Sequence, residues 1–385
     1  MENIYGLYVI LSNNYEEIFH EEKMLCHRSL SPTIWGATVK CELFCDTLKD
    51  TQISVEKIDA YEPKRHKNKV FKTLQKYISA FKSDDTIVYC LDSKRLKISI
   101  MLQSLFPKSY KKTTILAIGG VFHETVDESP LLKKHLKKVD GIWVETEGMK
   151  LKLLERGFKN IKVFPNPKLE KGWCIPTTSN AEEPLRLLYF SQISEKKGVE
   201  DIIKLVELLD RDGNIPYQLD FYGHIVTDFK ETFDEFIEKS KKVRYCGVFD
   251  STKSNVYQKI NEYDILLFPT HWNTEGVPGI LVEAKMAGVA VIASDRSYNS
   301  ELIQVDKNEG VVIHQPYFSE MYKYIKKMYF DREYLQKIKE GSSQSRKRYA
   351  LEEYKDMIQK LFGGGNKYEI KYNNILLNKS PAFSM

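Results

Sequence analysis

The sequence predicts an α/β fold made of two doubly wound domains, each a parallel sheet covered by helices on both faces, turned toward a shared cleft. Three observations carry this expectation. Short β-rich runs alternate with helical periodicity from Thr86 onward. A polar stretch containing Pro and Ser, "NPKLEKGWCIPTTSNAEEP" (Asn166 to Pro184), interrupts the alternation. The alternation then resumes from Leu185. At 385 residues, 42% hydrophobic and 29% charged, the chain has the length of about two domains of roughly 100–200 residues each.

In the first half the opening strand is either Ile4 to Ser12 or Met24 to Leu30; composition supports both. "TIVYCLD", "TTILAIGG", "GIWVETE" and "IKVFPN" follow as strands. Ser93 to Phe106 and Met149 to Arg156 carry apolar residues at helical spacing between them. After the linker the strand candidates are "LRLLYFSQ", "YQLDFYGH", "KVRYCGVF", "YDILLFPTH", "VAVIASD" and "GVVIH". Val199, Ile202, Ile203 and Val206 share one face of an intervening helix. Helices over Tyr317–Phe330, Arg332–Tyr349 and Leu351–Phe362 close the chain before "GGGN" and a polar tail. The expected division is 1–168, 169–350, and 351–385 as a C-terminal helix packing back on the first domain, then tail.

Composition excludes several classes. "IYGLYVILS" is too short to span a bilayer, which takes roughly 20 apolar residues, and no basic leader precedes it. The six cysteines, Cys26, Cys41, Cys45, Cys90, Cys174 and Cys246, lack CxxC spacing. Reduced cysteines in a cytoplasmic protein are expected, with no metal site. The net charge of +5 comes from the first 170 residues, at "EPKRHKNK", "PKSYKK" and "LLKKHLKKVD". In the last, Leu132, Leu136 and Val139 share one helical face and Lys133, Lys134, Lys137 and Lys138 fall away from it. Such patches are solvated helix faces, or contacts with an anionic membrane surface. They lack the interleaved aromatics of a nucleic-acid binder.

Chemistry concentrates in "THWNTEGVPGILVEAKMAGVAVIASD" (Thr270 to Asp295). Ile265 to Phe268 are apolar throughout, as in a strand buried on both faces. The chain then turns through "NTEG", and Pro278 suits the first turn of a helix running to about Ala287. Amides of Gly276, Val277, Gly279 and Ile280 around Pro278 would form a helix N-terminus that attracts a diphosphate. Glu275 would stand beside whatever that phosphate carries. Glu283, about one turn into the helix, could accept hydrogen bonds from a ribose diol. Two glutamates that only complement the helix dipole are the plain alternative.

This stretch resembles the E-x7-E signature of retaining glycosyltransferases of the GT-B fold, specifically family four, which builds capsular, lipopolysaccharide and other bacterial glycans. The resemblance implies that Glu275 contacts the donor-sugar hydroxyls, that Glu283 contacts the ribose, and that the intervening amides hold the diphosphate. "LLYFSQISEKKGVEDIIKLVELL" is similar to the family's strand, basic loop and helix, with Lys197 matching the lysine that neutralises the leaving diphosphate. Gln192 stands where the family has an arginine. "LDFYGH" resembles the next strand and its turn at Gly223. "GIWVETEGMKLKLLERGFKNIKVFPNPK" resembles the last βαβ unit of the acceptor domain, with Asn166 at the crossover. "SPTIWGATVKCELFCDTL" resembles the glycine loop facing the donor phosphates, with only Gly36 of the usual pair. "ILAIGGVFHETV" places Gly119, Gly120 and His123 at a strand's carboxyl end. There a histidine can bond a sugar hydroxyl or take the acceptor proton; a structural histidine and Glu124 are the competing readings.

The resemblance implies a metal-independent retaining hexosyltransferase with no bound cofactor. Its donor would be a nucleoside-diphosphate sugar of UDP or GDP type, and its acceptor a glycan or polyprenyl-diphosphate-linked glycan. It would work in the cytoplasm with peripheral membrane contact. A catalytically idle GT-B subunit and a nucleotide-sugar epimerase are the alternatives.

Overall fold

A computed structural model describes residues 8–13, 43–48, 54–59, 70–178, 180, 183–251 and 254–362. The first sheet comprises β1 (Tyr8–Asn13), β2 (Ser54–Asp59), β3 (Thr86–Tyr89), β4 (Thr113–Leu116), β5 (Gly141–Val144) and β6 (Ile161–Val163), in the order β2-β1-β3-β4-β5-β6. From β3 to β6 the pairing is parallel. Every residue of β4 and β5 is buried, which is why these strands read as continuous apolar runs. The opening strand is the earlier of the two candidates, beginning at Tyr8; Met24 to Leu30 lies outside the described residues. It runs antiparallel to both β2 and β3, so this sheet has an antiparallel edge in place of uniformly parallel strands.

The second sheet, β7 (Leu185–Phe190), β8 (Tyr217–Tyr222), β9 (Val243–Tyr245), β10 (Ile265–Phe268), β11 (Ala290–Ser294) and β12 (Val311–Ile313), is parallel throughout, in the order β12-β11-β10-β7-β8-β9. From β7 the chain builds outward through β8 and β9, then returns to lay β10, β11 and β12 on the other side. The order therefore reverses between β7 and β10. The crevice outside the carboxyl ends of strands at such a reversal is where open α/β sheets bind ligands.

Two crossovers join the halves. The first passes through Asn166 to Lys168, the second through Tyr349 to Leu351, and they hydrogen-bond to each other: Lys168 N donates to Tyr349 O at 2.8 Å, and Leu351 N to Lys168 O at 2.9 Å. Beyond the second crossover Leu351, Ile358 and Phe362 enter the first core. There the Phe362 ring meets Phe44 at 6.2 Å, and Phe44 in turn meets Trp143 at 6.0 Å. The terminal segments are broken more finely than the apolar spacing indicated. The helix from Arg332 ends at Ser345, with a 3₁₀ turn over Arg346–Tyr349, and Lys355–Leu361 is preceded by another over Leu351–Tyr354.

In the basic segment the helix covers Pro130–Leu136, with Leu132 and Leu136 buried. Lys138 lies over the Tyr110 ring and Lys137 over the Phe158 ring, at 5.9 and 5.7 Å. Among the described residues no helix is long and apolar enough to cross a membrane.

Candidate functional site

The loop after β7 carries Gln192 and Lys197 and is held from three sides. Tyr189, fully buried, donates its hydroxyl to Gln192 O at 2.7 Å and reaches Lys197 O at 3.4 Å. Gly223, after β8, has φ +150°, and a Cβ there would overlap Ser191 O. Gly198, at φ +79°, presses on the loop after β10, where a Cβ would overlap Pro269 O. The amide of His271 donates to Lys196 O at 3.0 Å across the same junction. The two loops flanking the sheet's reversal point are thus one packed unit.

Within that unit Lys197 and Glu275 form an ion pair through Nζ and Oε1, their side chains 12% and 23% exposed. The ammonium also lies 5.3 Å from the Trp272 ring centroid. The other carboxylate oxygen of Glu275, Oε2, is buried with no hydrogen-bond partner among the described residues. Lone acceptors of this kind cost stability unless something donates to them. His271 pairs with Asp201 Oδ2 at 2.6 Å and packs on Tyr317 at 5.0 Å.

The helix after this loop is Gly279–Ala287, with Pro278 at the N-cap position and, among the described residues, no side chain capping its first turn. Pro278 thus sits one residue before the helix proper. The Val277 amide, expected to face the cleft freely, donates to Glu145 Oε2 at 2.9 Å. A carboxylate from the end of β5 has taken the place next to the helix start, where the dipole favours negative charge. Gly276 is required there, since a Cβ on it would overlap the same Glu145 oxygen. Glu283 is paired with Lys168, Nζ to Oε1 at 2.7 Å, the side chains 20% and 10% exposed. Asn166 donates from Nδ2 to Val277 O at 3.2 Å.

The first domain meets this unit through backbone. Gly120 N donates to Thr274 O at 2.8 Å, and a Cβ on Gly120 would overlap Glu275 O. Tyr298 donates to Gly120 O at 3.1 Å and packs against both cores. His123 lies on the helix Phe122–Asp127, 9% exposed, with Nε2 at 3.8 Å from Glu124 Oε1. Burial, followed by the charges of Lys152 and Arg156, lowers its pKa, so the imidazole is neutral near pH 7. Gly36 lies outside the described residues. Among the described residues no group of three or more His, Cys, Asp and Glu side chains is placed to hold a metal.

The structure therefore gathers Lys197, Gln192, Gly223, Glu275, Gly276, Val277, Pro278, Gly279, Ile280, Glu283 and Gly120 about one junction, with His123 on the adjoining helix. Glu145, Lys168, Tyr298 and Glu301 join them without having been singled out from the sequence. Their partners lie in the other domain, and no local spacing signals such contacts.

Residues 175–345 match the family described as glycosyl transferases group 1. The capsular polysaccharide biosynthesis glycosyltransferase CapH of Staphylococcus aureus is 26% identical over 165 residues, 41% of this chain and 45% of that protein. The chain matches less than half the length of the curated relatives. Among solved structures, HepE of Anabaena in complex with UDP superposes with a TM-score of 0.62 at 13% identity, covering 75% of this chain and 81% of that one. The lipopolysaccharide outer core galactosyltransferase WaaB does so with 0.56 at 19% identity, covering 76% and 80%. These likenesses show the fold, which is GT-B.

Proposed function

We propose that this GT-B chain, group 1 in its second half, is a retaining glycosyltransferase. It would move a sugar from a nucleoside diphosphate to a glycan or polyprenyl-diphosphate-linked acceptor in cell-surface polysaccharide synthesis. The observation that carries this reading is the Lys197–Glu275 pair across the β7/β10 reversal, with Glu275 Oε2 buried and unpartnered.

In the reaction the bond from the anomeric carbon to the β-phosphate oxygen breaks, and the acceptor oxygen bonds to that carbon on the same face. The acceptor proton passes to a neighbouring base. Glu275 Oε2 accepts from a donor-sugar hydroxyl, which supplies its missing partner. Lys197 has three N–H donors and gives one to Glu275, leaving the others for the departing phosphate. Charge grows on that phosphate in the transition state, so an ammonium aimed there stabilises the transition state more than the ground state. Glu283 serves the ribose, and the Gly276, Gly279 and Ile280 amides serve the diphosphate; Gln192 and the Gly223 turn border it. His123, kept neutral by burial, would take the acceptor proton. No metal enters this scheme.

HepE is solved in complex with UDP, which supports a nucleotide-sugar donor, of UDP or GDP type. The capsular relative supports a cell-surface glycan as product. Leu105, 72% exposed, lies close in sequence to the exposed Lys108 and Lys111, which supports peripheral contact at the cytoplasmic membrane face.

Thermal shift with UDP, GDP, ADP and CMP tests the site, because a ligand that binds only the folded state raises its stability. UDP or GDP should raise Tm, and the matching donor sugar should then be transferred with retained anomeric configuration by NMR. No shift with any nucleotide overturns the reading. Binding without transfer or hydrolysis supports the idle subunit that uncharged Gln192 suggests.

A further inference from the structure

Lys168 stands at the meeting point of both crossovers. Its backbone pairs with Tyr349 and Leu351 on either side of a parallel bridge to Ala350, so the residue cannot shift without moving both chain crossings. The side chain is only 10% exposed and ends 2.7 Å from Glu283 Oε1. The same Nζ is 3.4 Å from the point where a Cβ on Gly279 would sit, beside the first helical residue.

A cation beside helix N-terminal amides is electrostatically unfavourable by itself, since both present positive charge. Glu283 offsets part of this. An anion resting between the ammonium and the uncapped first turn offsets the rest. A second group points the same way: Asn166 is 6% exposed, its Nδ2 is 3.5 Å from the Gly279 Cβ point, and its Oδ1 is buried without a partner among the described residues. A buried lone acceptor beside this helix start calls for a hydroxyl donor, and an ammonium next to free helix amides calls for a phosphate. Together they match a ribose carrying a 5′-phosphate.

We propose that Lys168 is a donor-positioning residue. It fixes the Glu283 carboxylate for the ribose diol and supplies the cation for the nucleoside-proximal phosphate, a charge that position 192 lacks. This rests on the nucleotide-sugar reading of the site. It separates two cations by task, with Lys168 at the proximal phosphate and Lys197 at the departing one.

The test is calorimetric binding of UDP, GDP and the corresponding monophosphates to wild type, Lys168→Met, Lys168→Arg and Lys197→Met. Lys168→Met should weaken the diphosphate that wild type binds, and its monophosphate, by about tenfold each, the scale of one charge-assisted hydrogen bond. Lys197→Met should weaken the diphosphate alone. Lys168→Arg should recover monophosphate binding to within about threefold of wild type, because it keeps the charge. In turnover, donor KM should rise in Lys168→Met by a larger factor than kcat falls. Lys168→Gln replaces the Met variant if that one does not fold. If wild type binds a diphosphate and a folded neutral variant binds both nucleotides equally well, Lys168 has only a structural role. Wild type that binds neither diphosphate overturns the site reading and this inference together.

Discussion

Glu301 of the second domain caps a helix of the first: its Oε1 lies 2.6 Å from the Glu147 amide and its Oε2 2.9 Å from the Gly148 amide, at the start of Glu147–Glu155. Glu145 does the reverse, accepting from Val277 just before Gly279–Ala287. Each domain therefore lends a carboxylate to amides at a helix start of the other. Lys152 and Gly120 reinforce the contact through Tyr298, whose hydroxyl is 3.1 Å from each partner. These bonds set the closed spacing of the cleft.

Glu301→Ala should loosen that closure. It leaves two helix-start amides without their acceptor, a loss of the scale of a removed N-cap, about 0.5–2 kcal/mol. Small-angle scattering should report a larger radius of gyration than wild type, with each domain's secondary structure retained by circular dichroism. Gly148→Ala should act in the same direction, since its Cβ would come within 2.8 Å of the Tyr298 ring. Scattering curves superimposable on wild type for both variants would show that closure does not depend on this contact.

Gly198 and Gly213 both have positive φ, +79° and +66°. Alanine at either pays the left-handed backbone strain, about 1–2 kcal/mol. Of the two, Gly198 also faces backbone, at Pro269 O, while nothing among the described residues lies within 4 Å of a Cβ on Gly213. Urea denaturation should therefore give a larger stability loss for Gly198→Ala than for Gly213→Ala, and only the former should disturb Lys197. Equal losses would mean that the loops after β7 and β10 are not packed as described.

The same contrast shows what the sequence made legible. Strands buried on both faces, such as Ile265–Phe268, declare themselves by uninterrupted apolar residues, and so the parallel sheets could be read directly. Glu275 was legible as a candidate from the turn just past such a strand, and Lys197 from the resemblance of its loop to the family's basic loop. Their ion pair was not, because it depends on β10 pairing with β7 over a long stretch of intervening chain. The antiparallel pairing of β1 escaped for a similar reason, since strand direction is set by the partner and not by local composition. Lys168, Glu145 and Glu301 look like ordinary surface charges in sequence. They acquire meaning only where two domains meet.

Removing Lys197 should lower kcat by ~10²–10³-fold, by analogy with the loss of one oxyanion donor. Because Lys197 and Glu275 share a bond, Lys197→Ala and Glu275→Ala should be strongly non-additive, the double variant being little worse than the more damaged single one. Gln192→Arg should keep or raise kcat, since a guanidinium would add charge beside the same phosphate. Steady-state kinetics on the donor identified by thermal shift checks all three. A folded Gln192→Arg enzyme roughly tenfold slower than wild type, about 1.4 kcal/mol in barrier, would argue against placing that residue at the diphosphate.

Lys285, 1% exposed, is buried beside Glu309 at 3.4 Å and Ser345 Oγ at 2.7 Å, with Arg348 and Tyr349 also facing it. Burial pushes its ammonium down to about 8 from the ordinary 10.5. Between those values the unfolded chain holds more protons than the folded one, so this residue makes stability rise with pH across that window. Below about pH 8 both states are protonated and the cost of burying the charge is fully present. A tenfold difference in proton affinity between the folded and unfolded chain corresponds to about 1.4 kcal/mol. Lys285→Met removes the buried charge, and Glu309 keeps Arg348 at 2.7 Å. The variant's Tm relative to wild type should therefore stand higher at pH 7 than at pH 9.5, the difference shrinking as wild-type Lys285 loses its proton. Comparing the two proteins at each pH cancels the titration of groups they share. A difference that stays constant across the window would mean that the folded state leaves the Lys285 ammonium at its ordinary pKa.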